Sequence, residues 1–463
     1  MHLERVIAAL APADVLRRAP VEIRDLSYDA RTAGPGALFF CVPGTRADGH
    51  DFAPEAVSNG AVALVVERPL ELDVPQLVVD DSRRAMGVAA EEFFGRPSED
   101  LQIAAVTGTN GKTTSAFLLY AILAAAGRRP GLLGTIESRV GGERRPAIRT
   151  TPEAIDLQRA FREMLDAGDC SCAMEATSHG SELCRLDRVR FSVLVFTNLS
   201  QDHLDFHGTM ERYFDAKRRL FVEGWPPAAI NVGSDWGRRL ATDRHDALTF
   251  GFADDAEVGP SALDGIDLKL RGRFNAENAL GALAASRLLG IDDEAIARGL
   301  ESVRGVPGRF ESVSEGQPFE VIVDYAHKPE ALQSILETAR DMTSGRLICI
   351  FGCGGDRDRG KRPIMGGIAS ELADLVIVTS DNPRSEEPQA IIDEILAGIE
   401  RDVEVEPDRA AAIERALSEA EDGDVVVIAG KGHEQGQEFA DRTIPFDDRE
   451  VARDVLRRLG AKA

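Results

Sequence analysis

The chain has 463 residues, about three times the length of a typical domain, and is 29% charged and 43% hydrophobic. That balance suits a globular protein of roughly three domains and excludes a disordered one. A net charge of −24 repels phosphate backbones, which argues against general nucleic-acid binding, and any anionic ligand must meet local groups of Lys, Arg and backbone N–H. Six cysteines include no CxxC pair, which argues against zinc ribbons, dithiol redox sites and a disulfide framework. The N-terminus lacks the apolar run of a signal peptide and no window approaches 18 uncharged apolar residues, so a cytoplasmic protein without membrane insertion is expected.

Three composition blocks follow in chain order. The first, 1–97, holds short strand-like runs at 37–42, 61–66 and 76–79, separated by turn pairs such as Pro43-Gly44 and Asn59-Gly60. The second, 98–305, opens with an apolar run at 103–106, a Gly-rich turn, and a helix that starts at Lys112 and stops at Gly127; 193–196 reads as a further buried strand. In the third, 306–463, strands at 320–323, 347–351, 375–379 and 425–429 alternate with helices from Pro329 and near Ile391. Continuous apolar strands alternating with amphipathic helices predict an α/β protein of three domains, with parallel-rich sheets covered on both faces and the last two doubly wound.

The sharpest local signal is VTGTNGKTT at 106–114, after a strand and opening a helix. Backbone N–H groups of such a loop and the helix N-terminus cradle phosphates, Lys112 would reach the β/γ-phosphates and the Thr113 hydroxyl would reach Mg²⁺. Gly108 lies only three residues before Gly111, so the G-x-x-x-x-G-K spacing is not met, and an ordinary βα turn is the weaker alternative. In MEATSHG, 174–180, a carboxylate, a hydroxyl and an imidazole at a strand end suit metal and substrate contacts, but equally a helix cap. In TNLSQDHLDFHG, 197–208, His203 and His207 stand four apart, yet the surrounding Asn, Ser, Asp and Gly favour a loop over a zinc-binding helix. Next, Met210, Tyr213, Phe214, Leu220 and Phe221 mark one helical face with Lys217 on the same stripe. Such a lysine either snorkels to water or is partly buried as a neutral amine available for chemistry. The third block adds DYAHKP at 324–329, FGCGGDRDRGKR at 351–362, SDNPRSEEP at 380–388 and AGKGHE at 429–434. Each follows an apolar strand, and ligands bind where parallel strands end, so the four loops predict one shared site.

Taken together these motifs, with GRFNAEN at 272–278, resemble the Mur ligase family of peptidoglycan synthesis along essentially the whole chain, and five of the eight histidines fall inside them. The resemblance implies an N-terminal domain for the UDP end of the substrate, a central P-loop-type ATPase domain and a Rossmann-like C-terminal domain that brings the amino acid. It implies ATP as co-substrate, an acyl phosphate on the D-glutamate of UDP-N-acetylmuramoyl-L-alanyl-D-glutamate, and meso-diaminopimelate as the attacking amine, in a monomeric enzyme. By the same resemblance Gly108, Thr109, Asn110, Gly111, Lys112, Thr113 and Thr114 bind ATP and Mg²⁺, with Asn278 and Asp324 as nucleotide contacts. Glu175 and His203 resemble Mg²⁺-contacting positions, and Lys217 matches a lysine carbamylated by CO₂ whose new carboxylate helps hold a second Mg²⁺. Ser27, Thr45, Arg46, Ala47, Thr150, Thr151, Ser178 and Arg185 match contacts to the UDP-muramoyl dipeptide. Arg357, Asp381, Asn382, Pro383, Arg384, Gly430 and Glu434 match the diaminopimelate pocket, where the Arg384 fork would read the second carboxylate that lysine lacks.

Two positions depart from the family pattern: Ala30 stands where relatives carry Ser, and Leu183 where some carry Gln; the stretch from Lys217 to Arg273 is also short. Three other readings compete. A lysine-adding ligase is opposed by Arg384. A folylpolyglutamate-synthase-like ligase should lack DNPR and the UDP-side domain. A scaffold paralogue should have lost Lys112, Glu175, His203 or Lys217, and all four are present.

Overall fold

The computed structural model describes residues 1–44 and 47–460. Three sheets follow one another along the chain. The first contains β1 (Asp14–Leu16), β2 (Asp25–Ser27), β3 (Ala37–Phe40), β4 (Ala61–Val66) and β5 (Gln76–Val78) in the order β1-β5-β4-β3-β2, antiparallel only at β1–β5. Its strands alternate faces with period two. Leu38, Phe40 and Val65 join one core, Phe39, Leu64 and Val66 the other. Ala154 and Ile155, at the start of a helix of the second unit, enter the first of these cores and dock the two units.

The second sheet contains β6 (Gln102–Thr107), β7 (Pro130–Leu133), β8 (Glu137–Val140), β9 (Glu143–Pro146), β10 (Ser171–Glu175), β11 (Val193–Phe196), β12 (Ala228–Asn231) and β13 (Leu248–Phe250). Its order is β13-β12-β11-β6-β10-β7-β8-β9, parallel apart from the β7–β8–β9 meander. From β6 the chain crosses to β7, β8 and β9, returns to β10 beside β6, and then continues on the other side through β11, β12 and β13, so the order reverses between β6 and β11, where α/β sheets open a crevice. Register aligns the strand ends: Val106 lies beside both Glu175 and Val195, and Thr107 beside Phe196. Apolar layers cover both faces, one including the helices Lys112–Ala125 and Arg273–Leu288, the other the helix Met210–Val222.

The third sheet, β14 (Glu311–Ser312), β15 (Glu320–Asp324), β16 (Leu347–Phe351), β17 (Leu375–Val378), β18 (Glu404–Val405) and β19 (Val425–Ala429), runs β14-β15-β19-β16-β17-β18 and is parallel except at β14. Asp324 aligns with Ala429 and Phe351 with Val378, so the four motif-bearing loops leave one edge together. A hairpin, β20 (Gly436–Glu438) and β21 (Thr443–Pro445), follows.

The runs expected at 37–42, 103–106, 193–196, 347–351 and 425–429 are strands within a residue or two. In 197–208 the expected loop contains one helical turn, Leu204–His207, whose N-cap His203 has φ +52. All six cysteines are free, and only Cys170 is exposed. Among the described residues no helix is long and apolar enough to cross a membrane.

Candidate active site

The loop after β6 is built on two glycines that no other residue could replace without strain. Gly108 has φ +150 and a Cβ there would lie 1.9 Å from Thr197 Oγ1; Gly111 has φ +85 and a Cβ would lie 2.1 Å from Asn278 Oδ1. β11 supports the loop from beside it. Thr197 Oγ1 donates to Asn110 O (2.6 Å), Asn110 N–H to Asn198 Oδ1 (2.9 Å) and Thr109 N–H to Asn198 O (2.9 Å). The half-buried Lys112 curls back over its own loop, its Nζ donating to Gly108 O (3.0 Å) and Thr109 O (2.9 Å). Burial, with nearby Lys328, lowers its pKa to about 8.

Beneath the loop lies Lys217, only 1% exposed. Its Nζ donates to Gly108 O (2.9 Å) and rests 4.8 Å from the centre of the Tyr213 ring. Burial and then the cations Lys112 and Lys328 push its pKa well below the ordinary lysine value, favouring the neutral amine. Snorkelling is thereby excluded. Tyr213 couples this layer to the loop, its hydroxyl 3.1 Å from Thr109 Oγ1.

At the end of β10 the buried Glu175 accepts from Thr135 N–H (2.7 Å at Oε1) and Thr135 Oγ1 (3.1 Å at Oε2), and Thr135 Oγ1 lies 3.0 Å from Thr150 Oγ1. Thr151 Oγ1 donates to Glu175 O (2.9 Å) and Arg185 Nη1 to Thr151 O (3.0 Å), while Arg185 also pairs with Glu153 at 2.8 Å. The cap of the following helix is Thr177, whose Oγ1 accepts from Gly180 N–H. Glu175 is therefore no helix cap and its carboxylate faces the cleft wall. Ser178 Oγ sits 3.0 Å from His207 Nε2.

Asp202 joins the second and third units. Its Oδ2 lies 2.9 Å from His203 Nε2 and 2.5 Å from Lys328 Nζ. Although burial raises its pKa, His203 and Lys328 outweigh that and hold the carboxyl well below the usual range. Arg309 Nη2, from the start of the third unit, donates to Thr113 Oγ1 (3.1 Å). Asp324 accepts from Phe310 N–H (2.6 Å) and Ala326 N–H (2.7 Å), and burial raises its pKa.

In the third sheet the loops after β17 and β19 interlock. Asn382 Nδ2 donates to Glu434 Oε2 (2.8 Å), and Lys431 Nζ to Asn382 Oδ1 (2.8 Å). Arg384, at φ +53, donates from Nε to Glu438 (3.0 Å) and from Nη1 to Gly355 O (2.7 Å). Gly430 has φ +120, with Asp381 Oδ2 2.5 Å from where a Cβ would be. Below, the fully buried Arg409–Asp448 pair (2.7 Å) sends Nη2 to Ala429 O (2.9 Å) and Nη1 to Ser380 O (3.3 Å), pinning both loops at their roots.

One cleft of about 860 Å³ gathers Thr109 to Thr114, Thr150, Thr151, Glu175, Arg185, His203, Asn278, Asp324 and Arg357. Lys217 and Gly108 do not line it; they lie beneath the loop, joined to each other at 2.9 Å. Ser178 adjoins the wall between Thr177 and His179, while Asp381, Asn382, Pro383, Arg384, Gly430 and Glu434 form a second cluster reached past Arg357 and Tyr325, whose ring stands 5.1 Å from that of His433. Ser27 and Ala47 belong to the first unit and do not line this cleft: Ser27 Oγ donates to Asp29 O (2.9 Å), and Ala47 is exposed. Thr45 and Arg46 lie outside the described residues. Sequence reasoning missed Thr135, Asn198, Asp202, Arg309, Lys328 and Lys431. Asn198, Asp202, Lys328 and Lys431 sit inside motifs already noted, whereas Thr135 and Arg309 carry no pattern of their own.

Comparison with known proteins agrees with this arrangement. Family models match at residues 22–94 (Mur ligase family, catalytic domain), 106–286 (Mur ligase middle domain) and 308–432 (Mur ligase, glutamate ligase domain). A UDP-N-acetylmuramoyl-L-alanyl-D-glutamate–2,6-diaminopimelate ligase of Solibacter usitatus (strain Ellin6076) is 47% identical over 469 residues, covering 96% of this chain and 95% of the relative. A solved structure of a ligase of that same name aligns with TM-score 0.67 and 33% identity over 96% of each chain. The MurF ligase of Thermotoga maritima in complex with ADP shares the fold at TM-score 0.64 and 22% identity, covering 95% of this chain and 99% of its own. With all three family models matched in order and identity of this extent along the chain, the protein belongs to the Mur ligase family.

Proposed function

We propose that this chain is an ATP-dependent ligase that joins meso-diaminopimelate to the D-glutamyl side-chain carboxyl of UDP-N-acetylmuramoyl-L-alanyl-D-glutamate in peptidoglycan biosynthesis. The observation that carries the reading is a single cleft in which the Gly108–Lys112 loop, Glu175 with Thr150 and Thr151, and the approach to the Arg384 turn converge. The functional division is 1–97 for the UDP end, 98–305 for ATP and the reacting carboxyl, and 306–463 for the amino acid.

A carboxylate is a poor electrophile at neutral pH, and phosphorylation supplies it with a leaving group. The glutamyl oxygen attacks the γ-phosphorus of ATP and the bond to the β-phosphate oxygen breaks, releasing ADP. The amine nitrogen of diaminopimelate then attacks the acyl carbon, the tetrahedral intermediate expels phosphate, and the new amide nitrogen sheds its proton. Gly108, Thr109, Asn110, Gly111, Thr113 and Thr114 cradle the phosphates while Lys112 swings from its own carbonyls to the transferring phosphoryl. Asn278 and Asp324 serve the nucleoside side; Thr150, Thr151, Ser178 and Arg185, with Ser27, Ala47, Thr45 and Arg46, serve the UDP-muramoyl dipeptide.

The donor set suits Mg²⁺. The Thr113 hydroxyl and the Glu175 carboxylate are hard oxygen donors that both line the cleft, which suits an ion that keeps several waters and borrows phosphate oxygens. Thr113, Glu175 and His203 would hold it, joined by Lys217 once its neutral amine has captured CO₂, forming an N–C bond and releasing a proton. When bound, Mg²⁺ neutralises charge on the transferring phosphoryl.

Arg384, with Arg357, Asp381, Asn382, Pro383, Gly430 and Glu434 around it, would read the distal carboxylate and amine of diaminopimelate. Because Glu438 and Gly355 O already pair with Arg384, lysine would forfeit only the charge-assisted bonds that a distal carboxylate adds, about 1.5–3 kcal/mol or roughly 10- to 150-fold in selection. Phosphate release from ATP, Mg²⁺ and the UDP-muramoyl dipeptide, with meso-diaminopimelate compared against L-lysine, tests the reading. Stimulation by diaminopimelate alone is expected; stimulation by lysine overturns the specificity argument, and silence with both overturns the acceptor.

A further inference from the structure

Resting on that reading, we infer that Lys431 is a positioning residue for the incoming amino acid, fixing the Asn382 amide and the Glu434 carboxylate in one mutual orientation. Lys431 is 0% exposed, in the turn after β19. The glycines on either side press the backbone against its neighbours: a Cβ at Gly430 would lie 2.5 Å from Asp381 Oδ2, and one at Gly432 would lie 2.6 Å from Gly308 O. The lysine side chain runs under the Asp381–Arg384 turn, where Nζ donates to Asn382 Oδ1 (2.8 Å) and Glu434 Oε2 (3.2 Å).

An Asn side chain is nearly symmetric in shape and opposite in polarity at its two ends, so its orientation is set by what surrounds it. Here two donors, Lys431 Nζ and Glu438 N–H (3.0 Å), face Asn382 Oδ1, while the Glu434 carboxylate accepts from Nδ2 (2.8 Å). Reversal would set an NH₂ group against an ammonium and a carbonyl against a carboxylate. Glu434 Oε2 receives both Lys431 and Asn382, which holds the carboxylate in place and keeps Oε1 for the ligand's ammonium. One buried cation thus ties together the turn after β17, the turn after β19 and strand β20. A solvent-exposed lysine could not impose this, because water would satisfy either amide orientation.

The test measures separate Michaelis constants for diaminopimelate, ATP and the UDP-muramoyl dipeptide in the full chain. Lys431→Met should raise KM for diaminopimelate about tenfold or more, with the other two constants within about twofold and the melting temperature retained. Asn382→Ala and the double variant complete a cycle. If Lys431 acts through Asn382, the double variant loses far less than the product of the single losses. Independent, multiplicative losses, or an unchanged KM for diaminopimelate, overturn the assignment. Should Lys431→Met fail to fold, Lys431→Gln, which keeps one donor for Asn382 without the charge, carries the test, with a rise of roughly threefold to tenfold expected and no change overturning it. Use of diaminopimelate by the wild-type protein is the control: its absence would refute the proposed function, whereas the variants test Lys431 alone.

Discussion

Replacing Lys217 with Met should separate stability from activity. The side chain is 1% exposed, and its amine donates to Gly108 O at 2.9 Å and, at the longer distance of 3.5 Å, to Thr107 Oγ1. The Gly108 carbonyl also accepts from Lys112 Nζ at 3.0 Å, so removing the amine leaves that carbonyl a partner and forfeits only the long Thr107 contact besides. Met reaches the Cε position, one atom short of the lost nitrogen, and keeps a flexible apolar side chain beside the Tyr213 ring. Exchanging a buried ionisable group for an apolar one of similar volume commonly stabilises by about 1–4 kcal/mol. Loss of the Gly108 bond returns about 1 kcal/mol, which leaves a net gain of roughly 0–3 kcal/mol. On the proposed carbamate role of Lys217, the variant should meanwhile lower kcat by about a thousandfold or more. The pH dependence has a fixed sign. A lysine depressed by folding binds its proton in the unfolded state first, so wild-type stability rises as pH climbs from the lowered folded value towards the ordinary lysine range. Melting curves between neutral and alkaline pH in bicarbonate-free buffer should show that slope in the wild type and a flatter one in Lys217→Met. A variant that melts lower at neutral pH, or one that keeps full activity, would refute the reasoning.

Gly111→Ala forces an L-residue to φ +85 with its Cβ 2.1 Å from Asn278 Oδ1; strain of about 1–2 kcal/mol plus displacement of Asn278 should raise KM for ATP about tenfold, and unchanged nucleotide affinity by titration would count against the loop. Arg384→Ala should raise KM for diaminopimelate by roughly 30-fold or more while sparing ATP, and an unaltered constant would remove Arg384 from the pocket. Asp448→Asn leaves the fully buried Arg409 without its charge partner. About 3–5 kcal/mol of destabilisation is expected, read as a lower melting temperature, and an unchanged melt would mean that Arg409 is held by Ala429 O and Ser380 O alone.

Among the parallel strands, β3, β6, β11, β16 and β19, unlike β7, β12 and β13, were legible because each is a continuous apolar run ending in a Gly-rich or polar turn, and register then brings those ends to one edge. Edge strands were not: β9 reads ERRP and is exposed throughout, so no buried face imprinted a pattern on it. The stripe carrying Lys217 was visible as periodicity, but its depth depended on the loop lying across it, more than a hundred residues away in sequence. Thr135 escaped notice because it works through one backbone N–H and one hydroxyl on Glu175. The pairs Lys328–Asp202 and Arg309–Thr113 unite separate units, and no local spacing encodes such a meeting. Ala30 is explained by packing: it is buried, and its carbonyl accepts from Asn59 Nδ2.

The inward-curled Lys112 bears on which guests its loop would accept. A free ammonium at a helix N-terminus would attract whatever small anion is most abundant, and inorganic phosphate would compete with nucleotide. Parked on the carbonyls of Gly108 and Thr109, the lysine presents a satisfied surface. On the proposed nucleotide role of the loop, only a guest offering several oxygens at once, as a polyphosphate chain does, would repay the exchange of both bonds, and the loop would discriminate by valency before any contact with the base is made.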